Sequence, residues 1–101
     1  MKNFGDMVKQ AQKVQRQMAE LQEALAAKRY EAGAGGGRVR AVVDGRQMLK
    51  EITISPEALE GGDASLLEDL VITAVGEAQR ASAAEAGEAM AKLTGGLKLP
   101  F

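Results

Sequence analysis

The chain has no cysteine, no histidine and no tryptophan, and its aromatic residues are limited to Phe4, Tyr30 and Phe101. Without thiol or imidazole it cannot form a disulfide, a zinc–thiolate site, a cysteine nucleophile or a histidine-activated serine. So few aromatics also argue against the stacking platforms of single-strand nucleic-acid binders. Apolar runs such as Leu70 to Ile72 span only a few residues, far short of the ~20 needed to cross a bilayer as a helix. Met1 to Asp6 lacks the apolar stretch and cleavage site of a secretory signal. A soluble protein of the cytoplasm is expected.

What is present suits one domain of 101 residues. Apolar residues make up 46% of the chain, but 18 of them are alanine. Large side chains are therefore scarce for a core, and self-association is expected. The formal net charge is −1, yet it is unevenly spread: +3 over residues 1–30, +1 over 31–56 and −5 over 57–101. A near-neutral total thus says little about polyanion binding.

Phe4, Met7, Ala11, Val14, Met18, Leu21 and Leu25 recur in alternating steps of three and four. This is a heptad stripe, and it predicts a long helix over residues 1–30 that needs a second helix beside it. Met7, Ala11, Val14, Met18, Leu21 and Leu25 are the candidate dimer interface. The flanking positions, including Gln10, Gln15, Gln17 and Gln22, are mostly uncharged, so charge does not set a register. Residues 31–55 read as an antiparallel three-stranded meander, with a glycine run at Gly35–Gly37, β-branched enrichment, and Asp44-Gly45 marking a hairpin. In the last strand Lys50, Ile52 and Ile54 share a face that could sit on helices. Ser55-Pro56 begins a short helix that Gly61-Gly62 stops. Asp63 or Ser65 then caps a long helix whose stripe includes Leu67, Leu70, Val71, Ala74 and Ala78, ending at Gly95-Gly96 before a tail over 95–101. Gly76 and Gly87 lie inside that helix, serving either close helix approach or a mobile arm. The fold class is α+β, with helices on one face of the sheet.

Little here can carry catalysis. Asp69 and Glu77 with Ser82 or Thr73 could be imagined as acid, base and nucleophile, since carboxylates are the only titratable groups left near neutrality, but charges opposite an apolar stripe are ordinarily a solvated face. The glycine run follows a helix and leads into a strand, the reverse of a phosphate-binding loop, and no Gly-Lys-Ser/Thr accompanies it. No enzyme activity, cofactor, metal or small-molecule substrate is expected.

The cations are more informative. Lys2, Lys9 and Arg16 are seven apart on the back of the first helix, with Lys13 beside them, and Arg38 and Arg40 alternate along a strand. Rows of this kind bind phosphate backbones through counterion release. With no recognition-helix or zinc-finger motif, such binding should have weak sequence preference. Two rivals stand beside this reading. One is a protein-binding scaffold that ignores DNA. The other, a membrane-surface helix, is disfavoured by the narrow apolar stripe.

Three stretches together resemble the YbaB/EbfC family of bacterial nucleoid-associated proteins: Lys9-Gln10-Ala11-Gln12-Lys13-Val14-Gln15; Gly35 to Leu59 with Ile52-Thr53-Ile54-Ser55-Pro56; and Leu67-Glu68-Asp69-Leu70-Val71 leading to Ala74 and Ala78. Leu93-Thr94-Gly95-Gly96-Leu97 is similar to that family's tail. The resemblance implies a homodimer with an α-β-β-β-α core whose paired sheets form the body. Its long helices would project like tweezers around double-stranded DNA in the nucleoid, altering DNA conformation and influencing transcription. Lys9 and Lys13 fall within the matching motif, whereas Lys2, Arg16, Arg38 and Arg40 rest on the charge argument.

Overall fold

The computed structural model describes residues 3–97, in the order helix, three strands, short 3-10 turn, helix. Lys2 and residues 98–101 of the expected tail lie outside the described residues. The molecule is a rod, 72 × 21 × 16 Å.

Helix α1 (Phe4–Ala27) starts where the Asn3 side chain accepts the Asp6 N–H at 2.9 Å, satisfying one of the free donors of the first turn. It stops at Ala27, three residues before the expected end. Lys28 turns extended, and Arg29 and Tyr30 pair with Asp44 and Val43 as the first residues of a strand. Sheet hydrogen bonds thus override the local helix preference there.

Strands β1 (Arg29–Ala34), β2 (Val39–Asp44) and β3 (Leu49–Ile54) form one antiparallel sheet in that order. Gly35, Gly36 and Gly37 connect β1 to β2 with φ of 65°, 69° and 88°, three successive left-handed residues that only glycine adopts readily. The glycine run is a turn with its chain reversed on itself.

Pro56–Leu59 forms a single 3-10 turn. Ser55 was the expected cap, but its side chain makes no capping bond; its N–H instead donates to the Arg38 carbonyl at 2.8 Å and prolongs the β2–β3 ladder. Asp63 settles the choice of cap for α2 (Ala64–Leu97), its Oδ1 accepting the Leu66 N–H at 3.1 Å. Helix α2 continues for 34 residues and passes through Gly95 and Gly96, where the sequence predicts a stop. A glycine costs a helix about 1 kcal/mol but does not break it, and the alanine-rich turns before it carry the helix on.

The core is one layer deep. Val39, Ala41 and Val43 of β2 are fully buried with Ala74 and Ala78 of α2, and Tyr30, Ala32, Leu67, Leu70, Val71 and Val75 pack around them. Alanine at 74 and 78 lets the helix lie close to the strands. Helix α2 packs on β1 and β2, so the expectation that the apolar face of β3 would be covered by helix is corrected: every residue of β3 is exposed. A bulge between Val42 and Val43 also changes that face, setting Leu49 rather than Lys50 opposite Val43. Ile52 and Ile54 stand opposite the buried Ala41 and Val39 and share their side of the sheet.

Candidate nucleic-acid interface

Lys9, Lys13 and Arg16 lie on the exposed back of α1, opposite the heptad stripe. Their steps of four and three keep them within one helix face, roughly 10.5 Å from first to last along the axis. None of the three has an ion pair among the described residues. Glu20 and Glu23 continue the same row toward the sheet. The arm is therefore basic on its outer half and acidic on its inner half, a division that the sequence reading overlooked and that its spacing could have disclosed. Arg16 precedes Glu20 by four residues, the less favourable orientation for a helical pair.

The strand cations differ. Arg40 is engaged by Glu31 on the open face of the sheet, so its charge is already compensated. Arg38 lies in the exposed turn before β2 rather than alternating within the strand. Lys28 at the root of α1 is paired with Glu85 of α2.

The heptad stripe changes character along α1. Phe4, Met7 and Ala11 are exposed, Val14, Met18 and Leu21 are half-buried, and Leu25 is 4% exposed. Leu25, expected in the dimer interface, is buried within its own chain. Helix α1 touches α2 and β2 near its root, which leaves the outer half standing away from the body.

That root is a joint built on the turn between β2 and β3. The Gly45 N–H donates to the Leu25 carbonyl at 2.8 Å, and a Cβ at Gly45 would sit 2.4 Å from that oxygen. Asp44-Gly45 does mark the hairpin between the antiparallel β2 and β3, and the left-handed residue of its turn is Gln47, with φ of 68°. Gly45 serves close approach instead. The buried Asp44 holds the turn together: Oδ1 accepts the N–H groups of Arg46 at 2.8 Å and Met48 at 3.0 Å. Its carbonyl accepts the Ser82 hydroxyl at 2.7 Å. Ser82 is fully buried, so it is a structural tie rather than the surface nucleophile that the sequence allowed.

The backbone N–H of Met48, and after it that of Arg46, holds the Asp44 carboxyl below the usual carboxylate range, with Lys50 and Arg29 adding to the effect. A carboxylate depressed on folding contributes stability above its unfolded pKa, and that contribution is lost as pH falls through the folded value. Asp44→Asn is therefore expected to lower stability at pH 7 and to flatten the loss of stability on acidification below about pH 4, in urea titrations run across pH. Equal acid sensitivity in the two proteins would show that Asp44 does not carry it. Close by, burial first and the neighbouring Glu85 carboxylate second push the Tyr30 hydroxyl up to about 12. Lys28 holds Glu85 below its ordinary value.

The family model described as the YbaB/EbfC DNA-binding family matches residues 1–97. A nucleoid-associated protein of Acetivibrio thermocellus is 47% identical over 95 residues, covering 94% of this chain and 84% of that protein. One from Thermoanaerobacter pseudethanolicus is 45% identical over 98 residues, covering 97% and 88% respectively. The crystal structure of an uncharacterized protein from Helicobacter pylori matches with a TM-score of 0.84 at 16% identity, over 92% of this chain and 98% of that one, a likeness of fold alone.

Proposed function

This chain belongs to the YbaB/EbfC DNA-binding family, and from that premise we propose that it grips duplex DNA through backbone phosphates, using Lys9, Lys13 and Arg16 on the outer half of α1. The observation that carries this reading is the row itself: three cations on one exposed face, without anionic partners among the described residues, on an arm that projects from the body. Phosphate contacts position a protein without reading sequence, so binding is expected to be largely indifferent to base order. Arg38 and Lys2 are auxiliary contacts, and Arg40 contributes less because Glu31 already engages it. Two copies acting together place six first-rank cations on one duplex and supply a reason for altered DNA conformation. On this reading the protein works in the cytoplasm on the nucleoid, influences gene expression through DNA shape, and needs no cofactor or catalysis.

Anisotropy titrations of unrelated duplexes across a salt series test it. Six phosphate contacts predict a log-affinity against log-salt slope near about −5. A slope near zero overturns the electrostatic mechanism and favours the scaffold reading. The inner half of the row gives an independent check. Glu20→Lys with Glu23→Lys removes the acidic end and lengthens the basic row, and is expected to raise affinity about tenfold at 0.15 M salt and steepen the slope. Unchanged affinity would mean that DNA does not track this face.

A further inference from the structure

Gln79, Ser82 and Glu85 follow one another in steps of three on α2, a spacing that sets them in one row along the helix. Each reaches a different part of the root of α1. The Gln79 side chain donates to the Gln47 carbonyl of the β2–β3 turn at 3.2 Å. The Ser82 hydroxyl donates to the Asp44 carbonyl, where that turn begins, at 2.7 Å. The Glu85 carboxylate accepts from the Lys28 ammonium, and Lys28 is the C-cap of α1. Ala74 and Ala78, just before the row, are buried in the core. The row therefore starts from a seated stretch of helix and ends on the arm.

The arm needs such an anchor. Only Lys28 separates the end of α1 at Ala27 from the first strand residue, Arg29, and its extended backbone makes a bend at which the helix can pivot. The Gly45 N–H, bonded to the Leu25 carbonyl at 2.8 Å, pins the last turn of α1 from the side of the β2–β3 turn. One pin leaves rotation about itself, and a second contact on another element removes it. Lys28 with Glu85 is that second contact. The buried Tyr30 hydroxyl of β1 faces the same carboxylate, and Lys28 and Tyr30 both favour its charged form. Lys9 lies about 28 Å up the helix from Lys28. A pivot of about 10° there carries Lys9 sideways by about 5 Å, more than the roughly 3.4 Å between successive phosphates along one strand.

We propose that Glu85 is a positioning residue for DNA binding: by holding Lys28 it fixes the direction of α1, and with it the alignment of Lys9, Lys13 and Arg16 on the phosphate backbone. The inference rests on the phosphate-binding reading of that row and adds to it a residue that touches no DNA. Its effect is opposite in sign to that of charge alone. A carboxylate that merely sat on the surface would repel a polyanion, and its removal would strengthen binding.

Glu85→Gln removes one negative charge per copy, yet it is expected to lower affinity for unrelated duplexes about fivefold at 0.15 M salt in anisotropy titrations. The urea midpoint is expected to stay near the native value, because a surface ion pair adds little to global stability. The swap Lys28→Glu with Glu85→Lys rebuilds the pair at unchanged net charge, and is expected to restore affinity to within about twofold of native. Affinity equal to or above native for Glu85→Gln, or no recovery in the swap, would overturn the proposal. The absence of native cysteine opens a direct measurement. Spin labels at Met7→Cys on the arm and Thr73→Cys on the seated part of α2, both exposed positions, report the direction of α1 when labelled chain is diluted with unlabelled chain. Glu85→Gln is expected to broaden the distance distribution about twofold, and an unchanged distribution would overturn the proposal. A native protein that ignores DNA would overturn the phosphate-binding reading, and the spin-label distances would then decide by themselves whether Glu85 fixes the arm. Should Glu85→Gln fail to fold, Lys28→Gln cuts the same pair from the other side and carries the distance measurement.

Discussion

Replacing Lys9, Lys13 and Arg16 together by glutamate is expected to lower affinity for unrelated duplexes by at least about a hundredfold at 0.1 M salt and to flatten the salt dependence toward zero. The change reverses three charges per copy, so lost attraction is compounded by repulsion between the new carboxylates and phosphate. Folding should be spared, because all three side chains are exposed and none has an ion pair among the described residues. Glutamate is also as good a helix former as lysine or arginine. The main structural cost is like-charge spacing, such as residue 16 against Glu20, worth a few tenths of a kcal/mol. Anisotropy with two duplexes of different sequence reads the effect. Affinity within threefold of the native protein would place the DNA surface elsewhere.

The second large effect is expected at the root of the arm. Gly45→Ala should destabilise the protein by about 3 kcal/mol, combining the strain of overpacking with a weakened buried hydrogen bond. The methyl would lie 2.4 Å from the Leu25 oxygen and 2.9 Å from its carbonyl carbon and Cα. All three are backbone atoms, so no side chain can move aside. Either the N–H bond to Leu25 lengthens or the last turn of α1 lifts from the sheet. Gly36→Ala is the control: it has a left-handed φ of 69° but open space around it. It should cost only about 1 kcal/mol, the ordinary penalty for that backbone region. Urea midpoints for both variants test the contrast. A Gly45→Ala loss no larger than that of Gly36→Ala would mean the joint is soft and the arm is not held by it.

Much of the architecture was legible because its causes are local. The alternating three-and-four spacing of α1, the glycine run at Gly35 to Gly37 that separates two strands, the β-branched run of β2 and the capping spacing after Gly62 each involve residues within a turn or two of one another. The basic row was legible for the same reason, since helix periodicity alone puts Lys9, Lys13 and Arg16 on one face. Element ends were less so. Ala27 ends α1 because Arg29 and Tyr30 are claimed by partners in β2, some fourteen residues away.

Sequence by itself determined the α+β class, the order of elements and the charge row, all of which follow from propensity and periodicity. Tertiary structure decided which apolar surfaces are covered. Leu25 and Ser82 look interchangeable with their neighbours along the chain, yet one meets the Gly45 N–H and the other the Asp44 carbonyl. Ile52 and Ile54 have the pattern of core residues but remain exposed, because α2 can lie over only two strands at once. Burial is a property of what a distant segment places overhead, and the position of that segment depends on the whole chain.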